Sequence, residues 1–136
     1  MLLTENDVVE AVCQFLTTHG WQVTSRCGTL DKGIDIVATG PNGQVQHVET
    51  KGATSSKKSS PRYGSPFDDR QVKTHVSKAF FTAATGFGSG VQGAIALPET
   101  KLHLKYLRLL QPALANLGII VYLVSADYSV RTWGGT

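Results

Sequence analysis

Gly33-Ile34-Asp35-Ile36-Val37-Ala38-Thr39-Gly40-Pro41-Asn42-Gly43-Gln44-Val45-Gln46-His47-Val48-Glu49-Thr50-Lys51 is the stretch on which the fold turns. Two runs rich in β-branched residues, 34–39 and 45–51, flank Gly40-Pro41-Asn42-Gly43, which is the pattern of a β-hairpin. Pro41 suits the second position of a type I turn, Asn42 the third, and Gly43 the left-handed residue that follows. A three-residue loop closed by a glycine bulge is a common hairpin connection. With Pro41 to Gly43 as the loop, Gly40 faces Gln44, and counting along the strands sets Asp35 opposite Glu49. Side chains alternate, so Glu49 and Lys51 share one face and Asp35 projects from the same one. The opposite face of the first strand, Ile34, Ile36 and Ala38, is apolar and is expected to meet the core. A two-residue Asn42-Gly43 loop would shift the register by one and separate the carboxylates. The sequence leaves both loops open.

Two carboxylates directly opposite each other repel and destabilise a plain sheet. A divalent cation held between them turns that cost into a site. Mg²⁺ prefers carboxylate oxygens, keeps several waters and takes further ligands from a substrate phosphate. Asp35 and Glu49 are the candidate metal ligands, the backbone carbonyl of Thr50 is a third, and Mn²⁺ is a plausible substitute for Mg²⁺. A cation there lowers the pKa of a bound water and offsets charge on a phosphoryl transition state. Lys51 is placed to orient or help deprotonate that water, or to neutralise the developing charge. His47 points to the same face one step earlier and is assigned no role. The plainer alternative is an edge hairpin with its charges in water, but it needs Asp, Glu and Lys to share a face by accident.

Thr4-Glu5-Asn6-Asp7 reads as an N-cap followed by acidic first-turn residues. A helix then runs to about His19, where Gly20 stops it. Val8, Val9, Val12 and Leu16 form its apolar stripe. Glu5 shares that face and Glu10 lies well away from it, so Glu5 is chosen as the helix carboxylate of the site. The simpler role open to Glu5 is to stabilise the first turn. A second amphipathic helix, about Asp68 to Ala84, turns Val72, Val76, Ala79, Phe80 and Ala83 inward, with Gln71 and His75 beside the stripe.

The arrangement Asp35…Glu49-Thr50-Lys51 behind an amphipathic helix resembles the PD-(D/E)xK nuclease superfamily, the restriction-endonuclease-like fold. Within it, the run from Thr4 to Ala84 is similar to archaeal Holliday-junction resolvases and to the nuclease domains of methylation-dependent restriction enzymes. These share a helix bearing a glutamate, a Gly-x-Asp-Ile-type strand, a Glu-x-Lys strand and a helix beginning around Gln-Val, here Gln71-Val72. The resemblance covers about the first two-thirds of the chain. One departure is Ile34 before Asp35, where the motif has proline. The resemblance implies a Mg²⁺-dependent DNA endonuclease with Asp35, Glu49, Lys51, Glu5 and Gln71 as catalytic residues, Gln71 orienting substrate phosphate or water. The alternative is a catalytically inactive DNA-binding or assembly module on the same fold. A small nuclease core often needs a second protomer to cut both strands, so a homodimer is a possible state.

Charge distribution supports a DNA partner better than the net charge of +3 does. From Lys51 through Phe67 there is no acidic residue, and this Ser-, Gly- and Pro-rich loop leaves the candidate catalytic strand. Lys57, Lys58 and Arg62 of the loop, with Lys73 and Lys78 of the next helix, are the candidate DNA-binding residues. Tyr63 and Phe67 suit either a base stack or an anchor to the core. Lys101, Lys105 and Arg108 form a further basic stripe, either a solvated face or an extension of a DNA track.

The remainder reads as scaffold. Val91 to Leu97 is a buried strand, and Pro98-Glu99-Thr100 opens a helix with Leu102, Tyr106, Leu109 and Ala113 inward. Pro112 is expected to kink or divide that helix. Ile119 to Val124 suits a central strand, and Asp127 to Trp133 a turn and a short last strand. The order α-β-β-β-α-β-α-β-β implies an α/β fold with a mixed central sheet flanked by helices. It matches the αβββαβ restriction-endonuclease-like core with a helix and strands added C-terminally, in a single domain, 1–136. At 136 residues and 41% hydrophobic, such a domain buries a core without disulfides. Cys13 and Cys27 show no metal spacing, and Cys13 is expected to be a small buried hydrophobe. No glycine-rich loop follows a first strand, so no nucleotide cofactor is expected. Nor does any run look like a leader or membrane span, and the expected location is cytoplasmic.

Overall fold

The computed structural model describes residues 2–27, 33–55, 59–61 and 63–135. Helix α1, Glu5–Thr18, begins where its capping chemistry begins. The Thr4 hydroxyl accepts from the Asp7 N–H, and the Asp7 carboxylate accepts from the Thr4 N–H, a reciprocal capping box. Val8, Val9, Val12 and Leu16 are buried along one stripe, joined by Ala11 and Cys13. Cys13 is a free thiol packed as a small hydrophobe.

Strands β1 (Gln22–Arg26), β2 (Ile36–Thr39), β3 (Val45–Thr50), β4 (Gln92–Pro98), β5 (Ile120–Val124) and β6 (Val130–Thr132) form one sheet in sequence order. β3, β4 and β5 are parallel, and the other neighbours antiparallel. Parallel neighbours need crossovers. Helices α2 (Asp69–Thr85) and α3 (Lys101–Leu117) provide them. α1 packs on one face of the sheet, against Ile36, Ala38, Val48, Ala96 and Tyr122. α2 and α3 pack on the other, against Ile95, Leu97, Val121 and Leu123. The architecture is the α/β one expected: a mixed six-stranded sheet flanked by helices, with α3, β5 and β6 following an αβββαβ order.

Coverage differs along the sheet, and that difference positions the site. From Ala94 in β4 and Val121 in β5 onward every residue is buried, as in a parallel strand covered on both faces. β2 and β3 alternate instead. Ile36, Ala38, Gln46, Val48 and Thr50 are buried on the α1 side, while Val37, His47 and Glu49 remain half-buried on the α2 side. The hairpin therefore offers a partly open face beside α2.

Three expectations are corrected. β2 starts at Ile36, and Ile34, expected in the core, is 37% exposed, because it lies ahead of the β2–β3 ladder that α1 covers. In α3 the buried residues are His103, Leu107 and Leu114, while Leu109 is 72% exposed. Leucines at 102, 104, 107, 109, 110 and 114 leave hydropathy undecided about the face. The face that packs carries His103, whose Nδ1 is 2.6 Å from the hydroxyl of the N-cap Thr100. Burial first, and then the neighbouring His75, bring the His103 imidazole down to about 4, so it packs as a neutral ring. Finally, Pro112 does not divide α3, which runs unbroken to Leu117 and ends at the left-handed Gly118. The carbonyl four residues back that loses its partner belongs to Arg108, which is exposed to water.

One contact ties the two layers together at the end of β3. The Ala53 N–H donates to the Leu3 carbonyl at 2.7 Å. A Cβ on Gly52 would lie 2.5 Å from the Glu5 nitrogen and 2.7 Å from the Thr4 carbonyl carbon. Only glycine lets the strand pass the start of α1 so closely. Gly52→Ala is expected to cost about 1–3 kcal/mol, the usual range for overpacking against backbone, read as a lower urea midpoint. An unchanged midpoint would mean that the two backbones separate freely.

Candidate active site

The turn sets the site. Gly43 has φ +80°, its N–H donates to the Gly40 carbonyl at 3.0 Å, and the Gly40 N–H donates to the Gln44 carbonyl at 2.8 Å. Pro41 to Gly43 is thus a three-residue loop with a glycine bulge. The ladder runs Thr39 to Val45, Ala38 to Gln46, Val37 to His47 and Ile36 to Val48. This is the register expected, and it excludes the two-residue loop; the ladder ends at Ile36, and Asp35 lies just ahead of it.

Asp35 is 9% exposed. Its Oδ2 accepts from the Thr50 N–H at 2.8 Å and from the Thr50 hydroxyl at 3.0 Å. Its own carbonyl accepts from the Cys27 N–H at 2.8 Å. One carboxylate oxygen is therefore pinned by two donors of a single residue. N–H and C=O of one strand residue point the same way, so the Thr50 carbonyl also lies on the Asp35 side of β3. The Thr50 hydroxyl is 3.4 Å from Glu5 Oε1 as well. This side chain sits between Glu49 and Lys51 in sequence but faces α1, and it joins the helix to the hairpin. Its role was not foreseen, although strict alternation from Glu49 would have pointed to it.

Electrostatics concentrate at this point. Burial raises the Glu49 carboxyl to about 8, reinforced by hydrogen bonding and repulsion from Asp35 and opposed by Lys51. Glu5 is raised by burial and then by Asp35, with Lys51 and the Thr50 hydroxyl working against the shift. Asp35 is thus within hydrogen-bonding reach of both glutamates, and Lys51 is the cation near all three. Glu10 is elsewhere: it pairs with Arg26 at 2.6 Å on the surface. The geometry favours Glu5 as the helix carboxylate.

Whether these residues suit a divalent cation follows from the donor set. Among the described residues no three carboxylate, imidazole or thiol side chains already form a metal cage. Mg²⁺ does not need one, because it is held by one or two carboxylates and keeps its waters for substrate oxygens. Carboxyls gathered this closely, with Lys51 as the cation near them, are hard oxygen donors with an electrostatic reason to bind a divalent ion. Asp35, Glu49 and the Thr50 carbonyl fit.

The groove beside the hairpin is walled by α2. Glu49, Lys51, Lys78 and Phe81 line a recess of about 480 Å³. Lys78 therefore belongs to the site, while Lys73 is exposed farther up the helix, near Asp69. His75 stacks edge-on against Phe67 at 4.6 Å. Its imidazole is lowered by burial and then by the charges of Lys51 and Lys78. Phe67 anchors the end of the loop, and Tyr63 is 45% exposed. The Gln71 side-chain oxygen accepts from the Asp68 N–H at 2.9 Å in a capping box, a first-turn role fixed locally. Lys105 of the basic stripe pairs with Asp69 at 2.8 Å, while Lys101 and Arg108 are exposed. Lys57, Lys58 and Arg62 lie outside the described residues. No helix of the described residues is long and apolar enough to cross a membrane.

No family model and no curated protein matches the chain. Among solved structures it is similar to SfsA of Pyrococcus furiosus in complex with Ca²⁺, with 17% identity and a TM-score of 0.39. The match covers 96% of this chain and 59% of that one, so the chain spans well under two thirds of that protein's length.

Glu49 yields a pH test. Its carboxyl titrates near 8 in the folded chain against an ordinary 4.5. Between those values the native state holds a proton that the unfolded chain has released. Stability of the metal-free protein then falls as pH rises through that window. Glu49→Gln is expected to flatten the slope and to melt above the parent at pH 8 in EDTA. Excess Mn²⁺ should raise the parent's melting temperature and not the variant's. A parent profile already flat from pH 5 to pH 8 would contradict a raised Glu49 carboxyl.

Proposed function

We propose that the chain is a Mg²⁺-dependent deoxyribonuclease, an endonuclease that hydrolyses phosphodiester bonds with a metal-activated water. The observation that carries this reading is the closeness of Asp35 and Glu49 at the end of the hairpin, with Lys51 just beyond the end of β3. When bound, the metal supplies Lewis acidity and a water of lowered pKa. Asp35, already fixed through Oδ2, offers its second oxygen, and Glu49 and the Thr50 carbonyl complete the protein's share. Glu5 stands behind Asp35 and deepens the negative potential without entering the groove.

Lys51 presents three N–H donors where charge develops on the phosphate, and it is held there just beyond the end of the strand that carries Glu49. Lys78 faces it from α2 and suits a neighbouring phosphate. Gln71 keeps its amide N–H₂ for a phosphate oxygen, since only its carbonyl is used in capping. Lys57, Lys58, Arg62 and Lys73 complete the reading as contacts to the DNA backbone, giving salt-dependent affinity with little sequence preference.

Asp35→Ala and Lys51→Ala should each lower the cleavage rate by about 10²–10³-fold, as loss of one preorganised charge-stabilising group does. DNA binding by gel shift in EDTA should stay measurable for both. If the parent cuts no linear, branched, methylated or single-stranded DNA with Mg²⁺ or Mn²⁺, the reading fails, and a binding or assembly module takes its place.

A further inference from the structure

Beside the recess that holds Lys51 and Lys78 lies a second pocket of about 240 Å³, between the hairpin and the C-terminal half of α2. The two share Glu49 and Thr82, so they are adjoining parts of one groove. The second pocket is walled by the apolar side chains of Ile34, Ala83 and Val91, with His47, Glu49, Thr82, Thr85 and Ser89 as the polar ones. Its volume falls below the roughly 300–1,000 Å³ of sites for drug-sized ligands, and suits a single planar ring. The adjoining recess carries two lysines, Lys51 and Lys78, and the ring of Phe81, which is 69% exposed. Phosphate-binding cations and an apolar ring-sized pocket thus stand side by side. Phe81 presents a bare aromatic face at their junction, where a surface helix would ordinarily carry a polar residue.

We propose that this pocket receives one unpaired nucleobase of the substrate strand while Lys51 and Lys78 hold its phosphate, with Phe81 stacking on the adjacent base. The proposal rests on the nuclease reading for the identity of the strand. It adds that the preferred substrate has an unpaired nucleotide next to the cut. A base inside a duplex is stacked and paired, and reaching a walled pocket costs a few kcal/mol, least where the base is already mismatched or single-stranded. His47, opening from β3 into the pocket, offers a ring nitrogen to the base edge. That gives a function to a side chain which the metal chemistry leaves unused.

The test measures binding without cleavage. In EDTA, fluorescence anisotropy would compare a labelled duplex carrying one unpaired 2-aminopurine with the same duplex fully paired. The unpaired form should bind roughly tenfold tighter or more, the range that base–aromatic stacking supplies, with a change in 2-aminopurine emission on binding. Thr82→Trp fills the pocket mouth from an exposed helical position, and should bring the two affinities to within about twofold. Phe81→Ala should cut the preference without touching the pocket wall. Melting curves of both variants confirm that they are folded. Equal affinity for paired and unpaired DNA, or a preference that survives Thr82→Trp, overturns the proposal. Binding preference with no cleavage under any metal would instead leave the pocket standing and remove the catalytic reading.

Discussion

The register of β2 on β3 is the constraint on which the site depends. It is set at the far end of the hairpin from the chemistry, by Gly43 in the left-handed conformation and the two hydrogen bonds between Gly40, Gly43 and Gln44. A slip of one residue would turn Ile36 and Ala38 out of the core and Asp35 away from Glu49 in the same step. Core and site thus enforce each other: the burial of Ile36, Ala38 and Val48 beneath α1 keeps Asp35 close to Glu49. Repulsion between them is tolerated because several buried aliphatic side chains oppose the slip. The mutual repulsion of two carboxylates is small beside the cost of exposing those residues.

Thr50 then converts register into geometry. Two of its groups donate to one oxygen of Asp35, and its hydroxyl reaches towards Glu5 in the opposite layer. Gly52, two residues on, is the reason that layer can come so near. A helix carboxylate, a strand carboxylate and a lysine arrive at one place through separate elements, with α1 on one side of the sheet and α2 on the other. Burial and mutual repulsion raise both glutamates there, and perturbed groups of this kind gather at functional sites. Elsewhere acidic residues are paired on the surface, as Glu10 is with Arg26 and Glu99 with Arg131.

Much of this was legible in the sequence, for a physical reason. Pro41, Asn42 and Gly43 carry strong local preferences, so the three-residue loop was one of two turns the sequence offered, and the hydrogen bonds of Gly40 and Gly43 select it. The stripe Val8, Val9, Val12 and Leu16 has a single apolar face, and the choice of Glu5 over Glu10 follows from it. α3 was misread only in part: Leu102 and Tyr106 pack against the core as expected, but apolar residues run around much of its circumference, and only packing centres the buried face on His103 and Leu107 and leaves Leu109 exposed. The reach of Thr50 to Glu5 and the tight passage of Gly52 were invisible because both depend on residues 45 or more positions away in the chain, at the start of α1. Alternation gives a direction to a side chain and says nothing of what it meets.

The open groove has its own cause in the order of the strands. Two crossovers on the same face put α2 over β3 and β4, with α3 packed beside it, and leave β2 without a helix above it. The hairpin's second face is therefore exposed by topology and not by local composition. What occupies it is a matter of side chains: Glu49 from β3 and Lys51 just beyond its end, Lys78 and Phe81 from α2. Thr50 is buried while its neighbours face the groove. One strand, read alternately, thus supplies a support beneath the sheet and reactive groups above it. A substitution that alters the support should be felt in the groove even though it touches nothing there.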